Sequence, residues 1–417
     1  MAVTVEPLTT SWTKLKPLPW LRLDINAVRY NAVGAFSLTV PANDTTWDLV
    51  DFDTDGVLKP RTGFFVDWNG VYEVPLKAEA VNPSKQISEN GEIVETIVFS
   101  GADYFSLLAD RIVYRNAATT WAGQTIGSTP VTGKAETVIK DLVKANIVTA
   151  GDTSRRVPGF TVAPDLARGG TVTYTISIKN PAADPGTDQA STAGESLMDM
   201  IRAVARQADI GVSIALVGGQ LVFDCYEPRD LTDRVVFSER YGSLRSWSIT
   251  DATPTANAIL MQSAAAVGPF TETHGGVSAT DPWRRVERYT DQSSTTEAAQ
   301  ITQAQLDEVA RGAAQTRVAL AAGDIPRVRF GRDATGIQGY GIGDLVAADI
   351  RDGITYTDTV TAVQLTADAT TAPYTETVTP TIGDNDAGSD AATDDATAIA
   401  QLSARVRQLE QLLRSRA

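Results

Sequence analysis

The sequence predicts a mainly β protein with α+β inserts, and three observations predict this fold class. Short segments in which apolar and polar residues alternate recur over residues 1–100 and again over residues 210–375. Residues 101–209 between them carry apolar side chains at helical spacing as well as strand-like alternation. Residues 397–417 repeat apolar residues every three or four positions, as the seam of a coiled coil does.

The first strand-rich unit, residues 1–100, consists of short strands separated by turn residues. Asn69-Gly70 lies between two apolar runs and predicts a tight hairpin, because both residues tolerate the positive φ of hairpin turns. Several strands at this spacing predict a small barrel or sandwich. The alternation is clearest in four segments: Leu21–Ile25, Phe36–Val40, Gly63–Asp67 and Ile93–Phe99.

Residues 101–209 are predicted to form an α+β insert. Ala135–Asn146 places its apolar side chains on one helical face, and Val172–Ile178 alternates like a strand. Asp103 can cap a short helix that follows it. Thr192–Glu195 matches a capping box, in which a hydroxyl and a carboxylate accept hydrogen bonds from free amides, and predicts the start of a further helix.

The second strand-rich unit, residues 210–375, opens with a predicted hairpin whose turn is Gly218-Gly219. An excursion over about residues 264–322 interrupts it and begins with a stretch rich in Gly, Ser and Thr. A capped helix is predicted inside the excursion, from Thr302 to about Ala321. Residues 376–396 hold few apolar side chains and are predicted to be an acidic linker.

The C-terminal residues 397–417 are predicted to form a coiled-coil helix that joins copies of the chain. β-branched residues at a with Leu at d favour dimers, so the heptads alone do not establish a trimer. The alternative is an amphipathic helix packed on its own chain, which the preceding polar linker disfavours. The predicted contact residues occupy positions a and d in alternation: Ile399, Leu402, Val406, Leu409 and Leu413.

Composition excludes several classes of function. Lys and Arg number 36 against 51 Asp and Glu, a net charge of −15, which disfavours specific nucleic-acid binding because an acidic surface repels phosphates. Passage of DNA through an acidic channel remains compatible with this charge. Cys225 and His274 are the single residues of their types, which excludes an intrachain disulfide and multi-His metal sites. No apolar stretch is long enough to predict a membrane-spanning helix.

Motifs with possible chemistry have simpler explanations. Asp51–Asp55 followed by Gly56 matches the opening of a calcium loop, but Thr62 stands where the bidentate Glu belongs, so we favour a polar turn. Gly336–Gly343 is interpreted as a turn that feeds a strand. Trp283–Tyr289 could stack on sugars or bases, and we favour an amphipathic extended segment. The sequence therefore predicts a protein that is not an enzyme and has no metal or cofactor.

The order of several short motifs resembles the tail-hub proteins of long-tailed phages, especially the minor tail proteins of phages with high-GC hosts. The resemblance covers about residues 20–375. Each motif is short, and their order along the chain carries the resemblance. The matching segments are Phe36–Pro41, Phe64–Asp67, Val98–Tyr104, Leu107–Arg111, Ala135–Ile139, Glu195–Ile201, Thr255–Asn257, Arg288–Asp291 and Tyr340–Val346.

The resemblance implies a structural protein of the virion tail tip that is made in the host cytoplasm. Each subunit of such hubs carries two small β-barrels of the tube type, and three subunits form a pseudo-six-fold ring. The implied partners are two further copies, the distal tail protein, the tape-measure protein and other tip proteins, with DNA only in transit. Two alternatives remain: a hexameric distal tail protein, and an envelope glycan-binding or hydrolysing tip protein that uses Trp283–Tyr289.

Overall fold

Strands form most of the regular structure in the computed structural model of the chain. It describes residues 3–52, 57–61, 63–87, 93–125, 127–178, 195–251, 256–263, 270–274, 280–292, 309, 316–325, 328–331, 339–351, 354–370 and 374–383. The chain divides into a major unit, Met1–Ser246 with Leu320–Ala417, and a minor unit, Trp247–Ala319. The mainly β fold class is confirmed.

The strands, in chain order, are β1 (Thr4–Leu8), β2 (Arg22–Arg29), β3 (Ala35–Pro41), β4 (Val50–Phe52), β5 (Leu58–Pro60), β6 (Gly63–Trp68), β7 (Tyr72–Ile87), β8 (Ile93–Asp103), β9 (Gly127–Lys134), β10 (Phe160–Val162), β11 (Thr171–Ile178), β12 (Gly211–Val217), β13 (Gln220–Tyr226), β14 (Val236–Ser238), β15 (Leu244–Asp251), β16 (Ala258–Ser263), β17 (Phe270–His274), β18 (Glu287–Gln292), β19 (Thr316–Ala322), β20 (Leu345–Arg351), β21 (Ile354–Asp368) and β22 (Thr375–Ile382). The α-helices are α1 (Asp44–Trp47), α2 (Ser106–Ala109), α3 (Ala135–Val143) and α4 (Leu197–Ala208). Shorter helical turns cover Trp121–Gly123, Lys144–Val148, Thr153–Arg155 and Glu239–Tyr241.

One ten-stranded sheet organises the major unit. Its order is β1-β6-β7-β8-β3-β2-β21-β20-β14, and β22 pairs with β21. The antiparallel pair of β2 and β21 joins the two strand-rich regions, with Arg22 opposite Asp368 and Arg29 opposite Ala362. Both regions also contribute to one hydrophobic core, which includes Leu23, Phe64, Phe99, Phe237, Val346 and Leu365.

The prediction of two separate barrels is not confirmed. Among the described residues the strand path of the sheet stays open, and its two ends, β1 and β14, do not pair with each other. Alternation along a strand predicts which face is buried, because successive side chains point to opposite faces. It does not predict the partner strand, and here β2 pairs with β21, which lies more than three hundred residues away in the sequence.

Both predicted hairpins are confirmed. Gly218 and Gly219 connect β12 to β13 with φ of 58° and 76°, so both turn residues have the left-handed conformation that glycine adopts without strain. Asn69 and Gly70, with φ of 60° and 72°, start the turn that brings Trp68 opposite Tyr72. These turns follow from local chemistry and do not depend on the rest of the fold.

The α+β insert extends beyond residue 209, because the hairpin of β12 and β13, assigned from the sequence to the second strand-rich unit, shares a hydrophobic core with α3, α4 and β9–β11. Helix α3 lies where the sequence predicted it. Helix α4 begins at Leu197, and Ser196 caps it by accepting a hydrogen bond from the Asp199 amide. The predicted cap is therefore wrong, and Glu195 instead accepts a hydrogen bond from the Tyr174 hydroxyl. Thr192 lies outside the described residues.

Two segments predicted as helix or linker contain strands. The last part of the predicted helix Thr302–Ala321 is β19, which forms a two-stranded sheet with β15, and most of the rest lies outside the described residues. The predicted linker 376–396 begins in β22, which pairs with β21 from Thr375↔Asp368 to Ile382↔Val360. Strand β22 buries Pro380 and Ile382 and exposes most of its other residues, which explains its polar composition.

The minor unit contains a three-stranded sheet. Its central strand β16 pairs with β17 antiparallel and with β18 parallel. Ala256, Ile259 and Met261 form its small core, against which Val309 packs. The extended conformation predicted for the end of Trp283–Tyr289 is thus part of a regular strand.

Candidate functional site

A cavity of about 490 Å³ lies in the major unit between the ten-stranded sheet and the α+β insert. Aliphatic side chains such as Val28, Val74 and Ile214 form part of its wall. Cavities with mixed apolar and polar walls are the usual places where proteins bind small molecules or partner side chains. Its tyrosines and arginines are Arg29, Tyr72, Tyr104, Tyr226, Arg229 and Tyr340.

Asn31 fixes the α+β insert to the sheet beside this cavity. Its backbone has a left-handed φ of 52°, and its side chain is buried. The Asn31 Nδ2 donates to the carbonyl of Ile210 at 2.9 Å, and its Oδ1 accepts from the amide of Val212 at 2.9 Å. Arg202 Nε donates to the Asn31 carbonyl at 3.1 Å. This single residue therefore aligns the end of β2 with α4 and β12.

Asp103 is a buried carboxylate in the cavity wall. Its Oδ2 accepts from the Gly34 amide at 3.1 Å, and its Oδ1 accepts from the Phe105 amide at 3.0 Å. Burial raises the pKa of Asp103 well above its ordinary value, although these amides and the charge of Arg29 act in the opposite direction. The sequence predicted Asp103 as a helix cap, and the structure shows it at the end of β8, holding the turn that leads into α2.

Arg229 and Asp344 form an ion pair on another part of the wall. Arg229 donates to Asp344 through its backbone amide at 2.9 Å and through Nε at 3.2 Å, and its Nη2 contacts the second carboxylate oxygen. The same Nη2 donates to the carbonyl of Gly339 at 2.9 Å. Gly343 has φ of 85°, and the described end of the glycine-rich segment, Gly339–Gly343, contains a turn that leads into β20, as predicted. No sequence motif predicted that Arg229 pairs with Asp344.

Asp324 holds Tyr340 at the same wall. The Tyr340 hydroxyl donates to Asp324 Oδ1 at 2.6 Å, and the Phe330 amide donates to Oδ2 at 2.9 Å. Burial raises the pKa of Asp324 to about 6 despite these hydrogen bonds. The carboxyl therefore changes its charge in the folded protein under mildly acidic conditions.

An ionic network fastens α3 to β13 inside the α+β insert. Lys140 Nζ lies 2.6 Å from Glu136 Oε1 and 2.6 Å from Asp224 Oδ1, and it donates to the carbonyl of Pro164 at 2.7 Å. Arg168 donates to the other oxygen of Glu136 through its amide at 2.7 Å and Nε at 3.1 Å. Burial by itself would raise the pKa of Glu136. The hydrogen bonds from Lys140 and Arg168 outweigh this effect and hold the pKa below its ordinary value. The network is a structural clamp with its members mutually paired.

The described residues present no cluster of metal ligands and no accessible thiol. Within the described residues no three His, Cys, Asp or Glu side chains are placed to hold a metal ion. Cys225 is buried, and this burial raises the pKa of its thiol to about 12. Asp51, the first residue of the predicted polar turn, lies in β4 opposite Lys59 of β5, while residues 53–56 lie outside the described part.

Every described helix is too short or too polar to span a bilayer.

A two-stranded ribbon extends from one part of the ten-stranded sheet. Strand β7 pairs with β6 only through residues 72–76, and β8 pairs with β3 only through residues 96–102. Beyond them, residues 85–87 pair with residues 93–95, and in the described structure these two segments have no other strand as partner. We call residues 85–87 and 93–95 the ribbon arm. Its Ile87 and Ile93 are 66% and 55% exposed.

A second exposed apolar feature lies in the minor unit. Trp283, in the segment singled out from the sequence, is 95% exposed. It lies in a turn that precedes β18, with Asp281 at the start of the turn.

The coiled coil of the C-terminal residues stays a prediction. The residues predicted to join copies of the chain lie outside the described residues: Ile399, Leu402, Val406, Leu409 and Leu413.

Residues 19–384 match a family model described as siphovirus ReqiPepy6 Gp37-like protein. The chain belongs to this family of siphovirus tail proteins. The resemblance to phage tail proteins that the motif order indicated is therefore confirmed, and the protein is a structural component of the virion tail. No curated protein matches this chain.

Two solved structures of tail proteins are similar to this chain. The 43 kDa tail protein of prophage MuSo2 from Shewanella oneidensis is 13% identical, with a TM-score of 0.54 over 93% of this chain and 99% of that one. The tail protein from Neisseria meningitidis MC58 is 12% identical, with a TM-score of 0.49 over 92% of this chain and 97% of that one. The likeness to the Shewanella protein extends over almost the whole fold.

Proposed function

We propose that the protein is the structural hub of the siphovirus tail tip. Three copies form a pseudo-six-fold ring that joins the tail tube and the distal tail ring to the tip. The ring contacts the distal tail protein, the tape-measure protein and other tip proteins, and it surrounds the channel through which DNA passes. The role is structural and involves no catalysis or cofactor.

The ribbon arm is the observation that carries this proposal. An isolated two-stranded ribbon is marginally stable in water, and exposed strands with apolar side chains readily pair with other chains. The arm nevertheless presents Ile87 and Ile93 to solvent in a protein whose family assembles into tails. A neighbouring subunit that covers the arm would bury these side chains and would extend the open sheet across the subunit boundary.

Symmetry and charge support the same role. Each subunit has two strand-rich regions, residues 1–100 and 210–375, which share one sheet, so a ring of three subunits would present six such regions to a six-fold tube. A net charge of −15 suits a channel for DNA, since like charge keeps the phosphates from adhering to the wall. The predicted heptad of residues 397–417 supplies a second contact between copies on the ring axis.

Copy number tests the proposal. Native mass spectrometry of the full chain is expected to show a complex of three 44.4 kDa subunits. A complex of six would favour the distal tail protein, the runner-up. A chain that stays monomeric at high concentration and occupies no ring in a reconstruction of the tail tip would contradict the proposed function.

A further inference from the structure

Two arginines of the α+β insert, Arg111 and Arg155, lie close to each other. Arg155 donates from Nη2 to the carbonyl of Ile112, the residue next to Arg111. The guanidinium carbon of Arg155 lies 3.5 Å from the centre of the Tyr114 ring, which fixes the plane of the guanidinium. Burial lowers the pKa of Arg155 below its ordinary value, and the charge of Arg111 acts in the same direction. The two guanidiniums therefore lie within electrostatic reach of each other, and we call them the arginine pair.

Each member of the arginine pair has a buried nitrogen that the described residues leave without an acceptor. Arg155 is only 8% exposed, and its Nη1 has no hydrogen-bond partner in the described structure. Arg111 is half-buried, and its Nε has no partner there either. Buried donors are nearly always hydrogen-bonded in folded proteins, because an unsatisfied one destabilises the fold. The arginine pair therefore requires acceptor oxygens that the described side chains do not supply.

The surroundings of the arginine pair are basic, although the whole chain is acidic. Residues 111–125 contain two arginines and no acidic residue, and residues 144–159 contain three basic residues and one aspartate. Three carboxylates lie on or beside these segments, and each has another partner: Asp110 pairs with Lys77, Asp152 accepts from Ser154, and Glu195 accepts from Tyr174. The charge of Asp152 raises the pKa of Arg155, but this effect is smaller than those of burial and of Arg111. Two positive charges thus lack a counter-charge of their own among the described residues.

A doubly charged oxyanion matches the arginine pair in both charge and hydrogen bonding. Guanidinium groups bind phosphate-like anions through paired N–H donors in a fixed plane, and a dianion balances two guanidiniums where a monocarboxylate balances one. Because Arg111 is only half-buried, its side of the pair is open to a small ion from solvent. We propose that Arg111 and Arg155 together bind a small dianionic oxyanion of the phosphate or sulfate type. This site goes beyond the proposed hub role and does not depend on it.

Titration of the full chain with inorganic phosphate tests this site. At constant ionic strength, phosphate is expected to raise the melting temperature by about 2 °C or more, because a ligand that binds only the folded state stabilises it, and acetate is expected to have no such effect. Calorimetry is expected to give one phosphate per chain, with an affinity at least about tenfold weaker in R111Q. The matched control is R156Q, which changes an exposed arginine whose Nε donates to the Ala150 carbonyl at 2.8 Å, and it should bind phosphate as the wild type does.

Three results would overturn the oxyanion site. The first is a wild-type chain that binds no phosphate, and the second is a rise in melting temperature that is equal in R111Q, which would be a general salt effect. The third is a loss of affinity in R156Q as large as in R111Q, which would indicate diffuse attraction to basic residues. If R111Q does not fold, R111K keeps the charge and removes the Nε donor, and an unchanged phosphate affinity in R111K would likewise overturn the site. Each of these results leaves the copy number, and with it the hub proposal, untouched.

Discussion

The α+β insert and the ribbon arm differ in whether their side chains have partners within the same chain. In the insert, the buried charges of Glu136 and Lys140 have ionic and hydrogen-bond partners within the same chain. In the ribbon arm, Ile87 and Ile93 remain exposed on two segments that, in the described structure, pair only with each other. The buried charges of the insert are therefore paired within one copy, whereas the arm leaves two large apolar side chains exposed. The difference separates residues that maintain the fold from residues available for assembly.

The largest effect on stability is expected from Lys140→Ala. The substitution removes the closest cation of the buried Glu136, and because Arg168 still pairs with Glu136 the cost should lie at the lower end of the range for breaking a buried ion pair, about 3 kcal/mol. Urea denaturation followed by circular dichroism measures the loss. Lys144→Ala, at an exposed position one turn later, is the matched control and should change the free energy of unfolding by less than about 0.5 kcal/mol. Equal losses for both variants would show that the network is not a clamp.

Substitutions of Asn31 test the contact between the insert and the sheet. Asn31→Gly keeps the left-handed backbone and leaves Ile210 and Val212 without their side-chain partner, which should cost about 2 kcal/mol in the free energy of unfolding. Asn31→Ala adds a strained φ and should cost about 1 kcal/mol more. Thermal and urea denaturation measure both variants. An alanine variant no less stable than the glycine variant would contradict the backbone part of this account.

Asp324 makes the stability of the major unit depend on pH. The folded carboxyl keeps its proton up to about pH 6, whereas the unfolded one releases it near its ordinary pKa of 3.8. The folded state therefore binds more protons between these values, and its stability falls as pH rises from about 4 to about 6, by at most about 3 kcal/mol.

Asp324→Asn is the control for this pH dependence. The amide oxygen can still accept one of the two hydrogen bonds, but the side chain no longer titrates. The difference in free energy of unfolding between the two proteins should change across pH 4–6, the wild type losing stability relative to the variant. A constant difference across that range would refute the raised pKa.

The ribbon arm should show the smallest effect on the fold and a large effect on assembly. Ile87→Asp and Ile93→Asp change exposed residues, so the melting temperature should stay nearly constant. Each isoleucine buried between subunits contributes roughly 1.5–3 kcal/mol, so each variant should weaken self-association by about tenfold or more. Val217→Asp, at the exposed hairpin end of the insert, is the matched control. Sedimentation at graded concentrations measures the self-association of each variant. If both arm variants associate as strongly as the wild type, the proposed interface is contradicted.

The sequence by itself determined the local elements and the family. Gly218-Gly219 and Asn69-Gly70 specify their turns because few other residues tolerate positive φ. The apolar face of Ala135–Val143 specifies a helix because its period is set by the backbone. The order of the motifs identified a phage tail protein, because an ordered series of motifs is more specific than any one of these short motifs alone.

Only the tertiary structure decided how these elements meet. The pairing of β2 with β21, the contact of Asn31 with Ile210 and the ion pair of Arg229 with Asp344 each join residues more than a hundred positions apart. Alternation along a strand fixes the buried face but leaves the partner and register open. The strand Thr375–Ile382 shows the consequence: its composition resembles a linker, and it is ordered by the backbone hydrogen bonds that β21 supplies. Long-range contacts of this kind depend on the whole chain, because each becomes favourable only when the surrounding core is in place.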